Sequence, residues 1–227
     1  MNAKIDTSSR RRSREITKPN IKTKVKRNKT AIFIAVVIVF MLIFGSLYVV
    51  LSSLTSKNDS IIPKKNSIAV INTSMGTIKV ELYEDKMPIT TANFIKLANA
   101  NFYNGLVFHR VIDNFMIQGG GFYPNGTQKQ DPYGTIKLET SPDVLHVDGA
   151  ISMARLSTPV DSATSQFFIC DSTQTSLDGQ YAAFGKVIDS MDVVRAIAAV
   201  KTTTKYTSYQ NWPIDDVVIN SITIQNQ

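Results

Sequence analysis

Two segments of this 227-residue chain place one arginine and two glutamines among apolar and aromatic residues. Residues 107–121 read VFHRVIDNFMIQGGG and include Arg110 and Gln118, and residues 165–170 read SQFFIC and include Gln166. A guanidinium is permanently charged and offers five N–H donors, while amide side chains can bind a peptide backbone. Aromatic side chains add apolar contact surface around these polar groups. The combination predicts a peptide-binding site organised around a single guanidinium.

A third segment, residues 177–187 (LDGQYAAFGKV), follows these two along the chain. In this order and at this spacing the three segments resemble the cyclophilin family of peptidyl-prolyl cis-trans isomerases. The resemblance covers about residues 67–225, and residues 153–155 (MAR) and 162–168 (SATSQFF) are similar to bacterial members. It implies an enzyme that catalyses rotation about X-Pro peptide bonds in polypeptide substrates. Because the chain has one cysteine and two histidines, no metal site and no cofactor are expected.

The resemblance also implies a role for each site residue. Arg110 matches the catalytic arginine of the family, and Gln118 and Gln166 match glutamines that bind the substrate backbone or orient that arginine. Ala154 and Arg155 match the strand that binds the residues before proline. The residues expected to form the apolar slot for the proline ring are Phe115, Met116, Phe168 and Leu177.

Three positions depart from the pattern of many family members. Arg155 replaces the asparagine of many eukaryotic members, so side-chain contacts there are expected to differ. Tyr181 stands where many members have a histidine at the pocket rim, and it can still stack on the proline ring and donate a hydrogen bond. Ser176 replaces the tryptophan of cyclosporin-sensitive members, which predicts weak cyclosporin affinity.

Several residues near these motifs are expected to have structural roles. His109 precedes Arg110 on a predicted strand and therefore points to the opposite face. Residues 119–121 (GGG) lack the Lys-Ser/Thr of a phosphate loop, so they are assigned to tight backbone packing. Cys170, the only cysteine, excludes an intramolecular disulfide and is expected to be a small buried apolar residue.

A Ser-His-Asp hydrolase is possible on residue types, but no nucleophile elbow is present. A proline-peptide binding module with little turnover also remains open.

Short strands with few helices must position these side chains. Residues 67–73 and 77–83 are predicted to form a hairpin, because apolar and charged residues alternate in the second segment. Helices are predicted from Pro88 to about Asn104 and over 189–200. This pattern favours an antiparallel barrel or sandwich, and the resemblance narrows it to a mainly β fold, a closed eight-stranded antiparallel β-barrel capped by two α-helices. The remaining strands are predicted at 106–112, 115–118, 150–154, 166–170, 182–187 and 216–224.

The segment before residue 67 differs in composition from the predicted domain at 67–227. Residues 1–30 contain eleven Lys or Arg and two acidic residues, a net charge of +9 in a chain of net charge +7. Residues 31–51 are uncharged and apolar, and as a helix they would span roughly 31 Å, enough to cross a bilayer. They predict an uncleaved transmembrane helix. A cleaved signal peptide is the alternative, although its apolar region is usually shorter.

The charge distribution predicts the orientation of this anchor. The basic tail should stay cytoplasmic, so the domain would lie on the outer side of the membrane, tethered by a polar linker at 52–66. An inverted anchor with a cytoplasmic domain is the competing arrangement. The tail is predicted to be disordered, to determine the topology and to contact anionic lipid. A nucleic-acid-binding arm is the less favoured alternative. The expected partners are therefore proline-containing polypeptides and a membrane but no nucleic acid, and the protein is expected to be a monomer.

Overall fold

The computed structural model describes residues 33–34, 37–47 and 65–226. Contacts separate a unit that precedes Pro63 from a unit that begins there. In the first unit residues 33–34 and 37–47 are helical, and no helix in the described ranges is long and apolar enough to span a membrane. The predicted basic tail lies outside the described residues, as do most of the predicted linker and part of the predicted transmembrane helix.

One eight-stranded antiparallel sheet dominates the second unit. Its strands are β1 Ile68–Thr73, β2 Gly76–Leu82, β3 Val107–Ile112, β4 Met116–Phe122, β5 Ala150–Met153, β6 Phe167–Cys170, β7 Ala182–Asp189 and β10 Ile219–Gln225. They follow the order β10-β1-β2-β7-β5-β6-β4-β3 across the sheet. All eight coincide with strands predicted from the sequence, so the mainly β antiparallel fold is confirmed.

The prediction of a closed barrel is wrong, because the sheet has two open edges. The two outer strands, β3 and β10, do not form a hydrogen-bonded ladder. The chain near them meets at one isolated bridge between Val107 and Val218, beside a hydrogen bond from the Phe108 N–H to the Val217 carbonyl of 3.0 Å. The pairing of β3 with β4 shifts register twice between Val107 and Arg110, and such bulges bend a strand. The sheet therefore curls into a half-barrel.

Two helices pack against the curled sheet around an aromatic core. Helix α1 (Pro88–Asn99) begins at the predicted proline and contacts β10 and β7, while α2 (Met191–Ala198) contacts β2, β3 and β4. Both helices end before their predicted limits. The core centres on rings whose centroids lie 5.2 to 6.1 Å apart, distances typical of edge-to-face and tilted pairs. These fully buried rings are Phe94, Tyr103, Phe108, Phe167 and Phe184.

A two-stranded hairpin, absent from the predicted elements, follows α2. It consists of β8 (Thr202–Lys205) and β9 (Tyr209–Pro213). Its Trp212 is fully buried against Phe122, with ring centroids 6.0 Å apart. The indole N–H of Trp212 donates a hydrogen bond to Asp216 at 2.8 Å, so the only polar atom of this buried side chain has a partner.

His109 packs against Phe122 and Trp212, which agrees with the prediction that this histidine is structural and points away from the face of Arg110. Its side chain is buried, and its ring centroid lies 4.7 Å from that of Phe122 and 5.9 Å from that of Trp212. Arg110, the next residue, lines a pocket on the other face of the strand. Burial lowers the pKa of His109 from 6.5 to about 4, because the cationic form loses its hydration.

This buried histidine makes stability depend on pH. The unfolded chain binds a proton at His109 below about pH 6.5 and the folded chain only below about pH 4, so the free energy of unfolding should fall as the pH falls through that interval. The difference between these two pKa values corresponds to a loss of about 3 kcal/mol in the free energy of unfolding. Urea unfolding of the wild type and of His109→Phe from pH 7 to pH 4.5 measures this effect. In the variant the free energy of unfolding should depend less steeply on pH, and the dependence that remains should come in part from His146. Equal slopes in the two proteins would contradict the prediction.

Candidate active site

The predicted site residues converge on one cavity of about 220 Å³. Strands β3, β4 and β6 contribute side chains to it, and the turn between β3 and β4 and the segments after β5 and β6 supply the remaining walls. The segments that form it are separated by up to about 70 residues, so only the folded sheet brings them together. The cavity is lined by Arg110, Phe115, Met116, Gln118, Ala154, Arg155, Phe168, Leu177 and Tyr181.

Arg110 lies on β3 directly opposite Gln118 of β4. Its Nη1 approaches the Met116 sulfur at 3.7 Å, and its guanidinium carbon lies 5.7 Å from the centre of the Phe115 ring. Within residues 65–226 no carboxylate pairs with it. Partial burial lowers the pKa of Arg110 from its usual value, yet a guanidinium remains charged at neutral pH. Its donors are therefore available to a ligand in the cavity.

Gln166 is the one predicted site residue that does not line this cavity. Its Oε1 accepts a hydrogen bond from the Gln118 Nε2 at 3.0 Å, and it lines an adjoining pocket of about 620 Å³. The two pockets share Gln118, Ala154 and Arg155. Gln166 thus orients the amide of Gln118 and faces a different part of any bound chain from the residues of the first cavity.

The glycines at the end of β4 make this arrangement possible. A Cβ on Gly121 would lie 2.6 Å from the Gln166 side chain, and one on Gly119 would lie 3.0 Å from the Phe108 ring. Gly120 has a φ of +81°, a conformation that L side chains rarely adopt. The prediction of tight backbone packing at these residues is confirmed.

Apolar rings form the floor and one wall of the cavity. Phe168 is 5% exposed and Met116 is 1% exposed, so both present only a small surface to the cavity. Tyr181 meets the Phe168 ring edge to face, with centroids 5.9 Å apart. Leu177 ends a short 3-10 helix, Thr175–Leu177, which also contains Ser176. Such an apolar slot suits a compact ring, and the guanidinium at its edge suits a peptide group beside that ring.

Comparison with known proteins identifies the family. A family model described as "Cyclophilin type peptidyl-prolyl cis-trans isomerase/CLD" matches residues 68–224. The chain belongs to the cyclophilin family. This cyclophilin is 47% identical to a peptidyl-prolyl cis-trans isomerase of Acinetobacter baylyi, over 71% of this chain and 87% of that protein. It is 38% identical to peptidyl-prolyl cis-trans isomerase B of Escherichia coli, over 69% of this chain and 99% of that protein.

A solved structure agrees with these sequence relatives. The crystal structure of a cyclophilin-type isomerase of Cryptosporidium parvum, determined in the presence of the dipeptide Ala-Pro, superposes with a TM-score of 0.63. The two chains are 32% identical, and the match covers 70% of this cyclophilin and 99% of the other chain. The protein is a peptidyl-prolyl cis-trans isomerase, as the motifs of the sequence implied.

Two groups of polar residues behind the pocket were not predicted from the sequence. In the first, the buried His146 ring bonds Asp178 through Nδ1 at 2.8 Å and the Ser152 hydroxyl through Nε2 at 3.0 Å. The same ring stacks on Phe168 with centroids 6.0 Å apart, and Asp178 follows Leu177 in the chain. Ser152 is fully buried within β5, so this Ser-His-Asp array braces the pocket of the cyclophilin and presents no accessible nucleophile.

The second group braces the turn that precedes Phe115. The buried carboxylate of Asp171 accepts the Asn114 N–H at 2.9 Å, and the Asp171 N–H donates to the Phe115 carbonyl at 2.9 Å. Arg195 of α2 donates to Asp171 and to Asp148, each at 2.7 Å. Asp171 is 3% exposed, so Arg195 provides charge that compensates it. Helix α2 is thereby connected to a wall of the cavity.

Removing this connection should weaken substrate binding. We expect Arg195→Gln to raise KM for a proline peptide about two- to fivefold, on the order of 1 kcal/mol, with a smaller change in kcat, because Phe115 loses part of its support. Steady-state kinetics of the full chain measure both constants. Lys79→Gln is the matched control, since it removes the exposed ion pair of Lys79 with Asp189. An equal KM in Arg195→Gln and the control would contradict this role.

Proposed function

We propose that Arg110 is the catalytic residue and that the cavity around it binds the proline of an X-Pro substrate. The observation that supports this most directly is the half-buried guanidinium at the edge of an apolar slot, which has no carboxylate partner within residues 65–226. Planar amide resonance imposes a rotation barrier of about 18 to 20 kcal/mol. Uncatalysed isomerisation therefore takes on the order of 10 to 100 s, slow enough to limit folding.

The proposed chemistry needs no nucleophile and no titrating group. When the X-Pro bond twists, resonance is lost and the prolyl nitrogen recovers a lone pair that can accept a hydrogen bond. Arg110 donates to that nitrogen, so it stabilises the twisted amide more than either planar isomer. Phe115, Met116 and Phe168 hold the ring, and Gln118 binds the adjoining backbone. A site that binds the transition state better than the ground state lowers the barrier.

The direct test follows isomerisation of a proline tetrapeptide by the full chain in detergent. Acceleration over the uncatalysed rate that scales with enzyme concentration is the expected result. A binding module with little turnover is the alternative, and it would bind the peptide without changing the rate. The guanidinium of Arg110 has no carboxylate partner in the described part of the domain, which favours the enzyme.

We further propose that residues 31–51 anchor the protein in a membrane as a single uncleaved helix. The supporting observations are the absence of charge in this segment, the +9 charge of residues 1–30, and the exposed apolar side chains on the described helical residues 37–47. The basic tail then stays cytoplasmic, and the isomerase acts on proteins outside the cytoplasm. Its proposed role is to assist the folding of proline-containing clients near the membrane, as a monomer.

This topology is tested by adding protease to intact cells. Release of a fragment containing residues 67–227 supports the outward orientation, and protection of the domain supports the inverted anchor. Fractionation separates the anchored chain from a processed one, because a cleaved signal peptide would leave the domain in the soluble fraction.

A further inference from the structure

A second arginine lines the same cavity as Arg110. Arg155 lies just after β5 and contacts both the proline cavity and the adjoining pocket. Its Nε donates to the Gln180 carbonyl at 2.7 Å, and its Nη1 donates to the Leu156 carbonyl at 2.7 Å. Its guanidinium carbon also lies 4.9 Å from the centre of the Tyr181 ring. These contacts hold the side chain in one place between the two pockets.

The contacts of Arg155 satisfy hydrogen bonds but leave its charge uncompensated. Within residues 65–226 its hydrogen-bond acceptors are all neutral carbonyl oxygens, and its Nη2 has no hydrogen-bond partner. Arg195 provides the contrast, since the same fold pairs it with two carboxylates. A positioned guanidinium with free donors is suited to bind a carboxylate.

The positive charge is local to the site. Residues 65–227 contain twelve Lys or Arg and fifteen Asp or Glu, a net charge of −3. Nevertheless, the proline cavity is lined by Arg110 and Arg155 and by no acidic residue, while the adjoining pocket adds Lys129 and Asp131, whose formal charges cancel. The two connected pockets therefore carry a formal charge of +2 on an otherwise acidic domain.

We propose that Arg155 selects substrates with an acidic side chain at one of the two positions that precede the proline. The inference rests on the proposed binding of proline beside Arg110. Because Arg155 borders the proline cavity and the next pocket, a chain that places its proline in the first passes the guanidinium with a residue next to that proline. The residue before the proline is bonded to the nitrogen that Arg110 contacts in the proposed function, so we place that side of the chain along Arg155. A carboxylate there meets the free Nη2 and a positive potential, whereas a lysine meets like charge.

The expected preference is moderate because Arg155 is only partly buried. A carboxylate substrate should show a kcat/KM about three- to tenfold above its amide counterpart, the range of a partly screened ion pair with one charge-assisted hydrogen bond. The preference should decline as ionic strength rises, since screening shortens the range of the attraction.

Matched tetrapeptides test this selection with the full chain in detergent. One set places Glu, Gln, Ala or Lys directly before proline, and a second set places them one residue earlier. The measured quantity is the Glu-to-Gln ratio of kcat/KM in each set, for the wild type and for Arg155→Gln. The ratio should exceed about three in at least one set and approach one in Arg155→Gln. Arg155→Lys, which keeps the charge without the fork, should retain part of the ratio.

The outcomes separate this inference from the proposed function. If the Ala peptide is isomerised but both Glu-to-Gln ratios are near one, the role of Arg155 is overturned and the isomerase mechanism stands. A ratio unchanged in Arg155→Gln also overturns it, because another group would then select the carboxylate. If no peptide is isomerised, the mechanism proposed for Arg110 fails first.

Discussion

Arg110→Ala is expected to lower kcat/KM for a proline tetrapeptide by about a hundred- to a thousandfold. That is the range observed when a single transition-state donor is removed from other enzymes. The loss should fall mainly on kcat, since the proposed contact forms only when the amide is twisted. Arg110 has no carboxylate partner within residues 65–226, so its removal breaks no ion pair of the described fold.

Two measurements distinguish a catalytic loss from a folding loss. The free energy of unfolding of Arg110→Ala should stay within about 1 kcal/mol of the wild type, and binding of a proline peptide by calorimetry should persist. Arg110→Lys keeps the charge but lacks the planar fork, so its kcat/KM should remain about tenfold or more below the wild type. A wild-type kcat in Arg110→Ala would refute the catalytic assignment.

Phe167→Ala is expected to lower the free energy of unfolding by about 3 to 5 kcal/mol. Phe167 is fully buried, and its ring centroid lies 5.4 Å from those of both Phe94 and Tyr103 and 6.1 Å from that of Phe108. Alanine would leave a cavity within this cluster. Because domains are stable by about 5 to 15 kcal/mol, the variant would lose a large fraction of its stability. Denaturant unfolding measures the change.

The adjacent Phe168 provides the matched control. Successive residues of β6 face opposite sides, so Phe168 lines the cavity beside Arg110 while Phe167 lies in the core. Phe168→Ala should therefore raise KM clearly, with a smaller loss of stability than Phe167→Ala. If Phe168→Ala were the more destabilising and Phe167→Ala the more damaging to KM, this assignment of the two faces would be wrong.

The eight strands of the sheet were predictable because local signals mark them. In β2, for example, Ile78, Val80 and Leu82 alternate with charged residues, and the structure buries these three side chains. The β8–β9 hairpin lacked such a signal, since Thr202, Thr203 and Thr204 are exposed and no apolar alternation marks β8. Burial of Trp212 against the main sheet anchors it, a contact between residues distant in the chain.

The sequence identified residues that line the cavity but not those that support them. Nine of the ten predicted residues line one cavity, and Gln166 lies in the adjoining pocket. The pairs His146–Asp178 and Asp171–Arg195 were missed because 32 and 24 residues separate their members. Such pairs follow no helical or strand period, so no sequence pattern marks them.

The order of residues along the chain was by itself sufficient to determine the family, the chemical groups of the site and the concentration of positive charge before residue 31. These properties are local, since motif residues lie close together in sequence and charges can be counted. Only the tertiary structure decided that Arg195 has carboxylate partners while Arg110 and Arg155, within the described residues, have none. Charge compensation and burial depend on distances through space, which the folded sheet determines. The same physics separates the proposed catalytic and selecting arginines from the structural one.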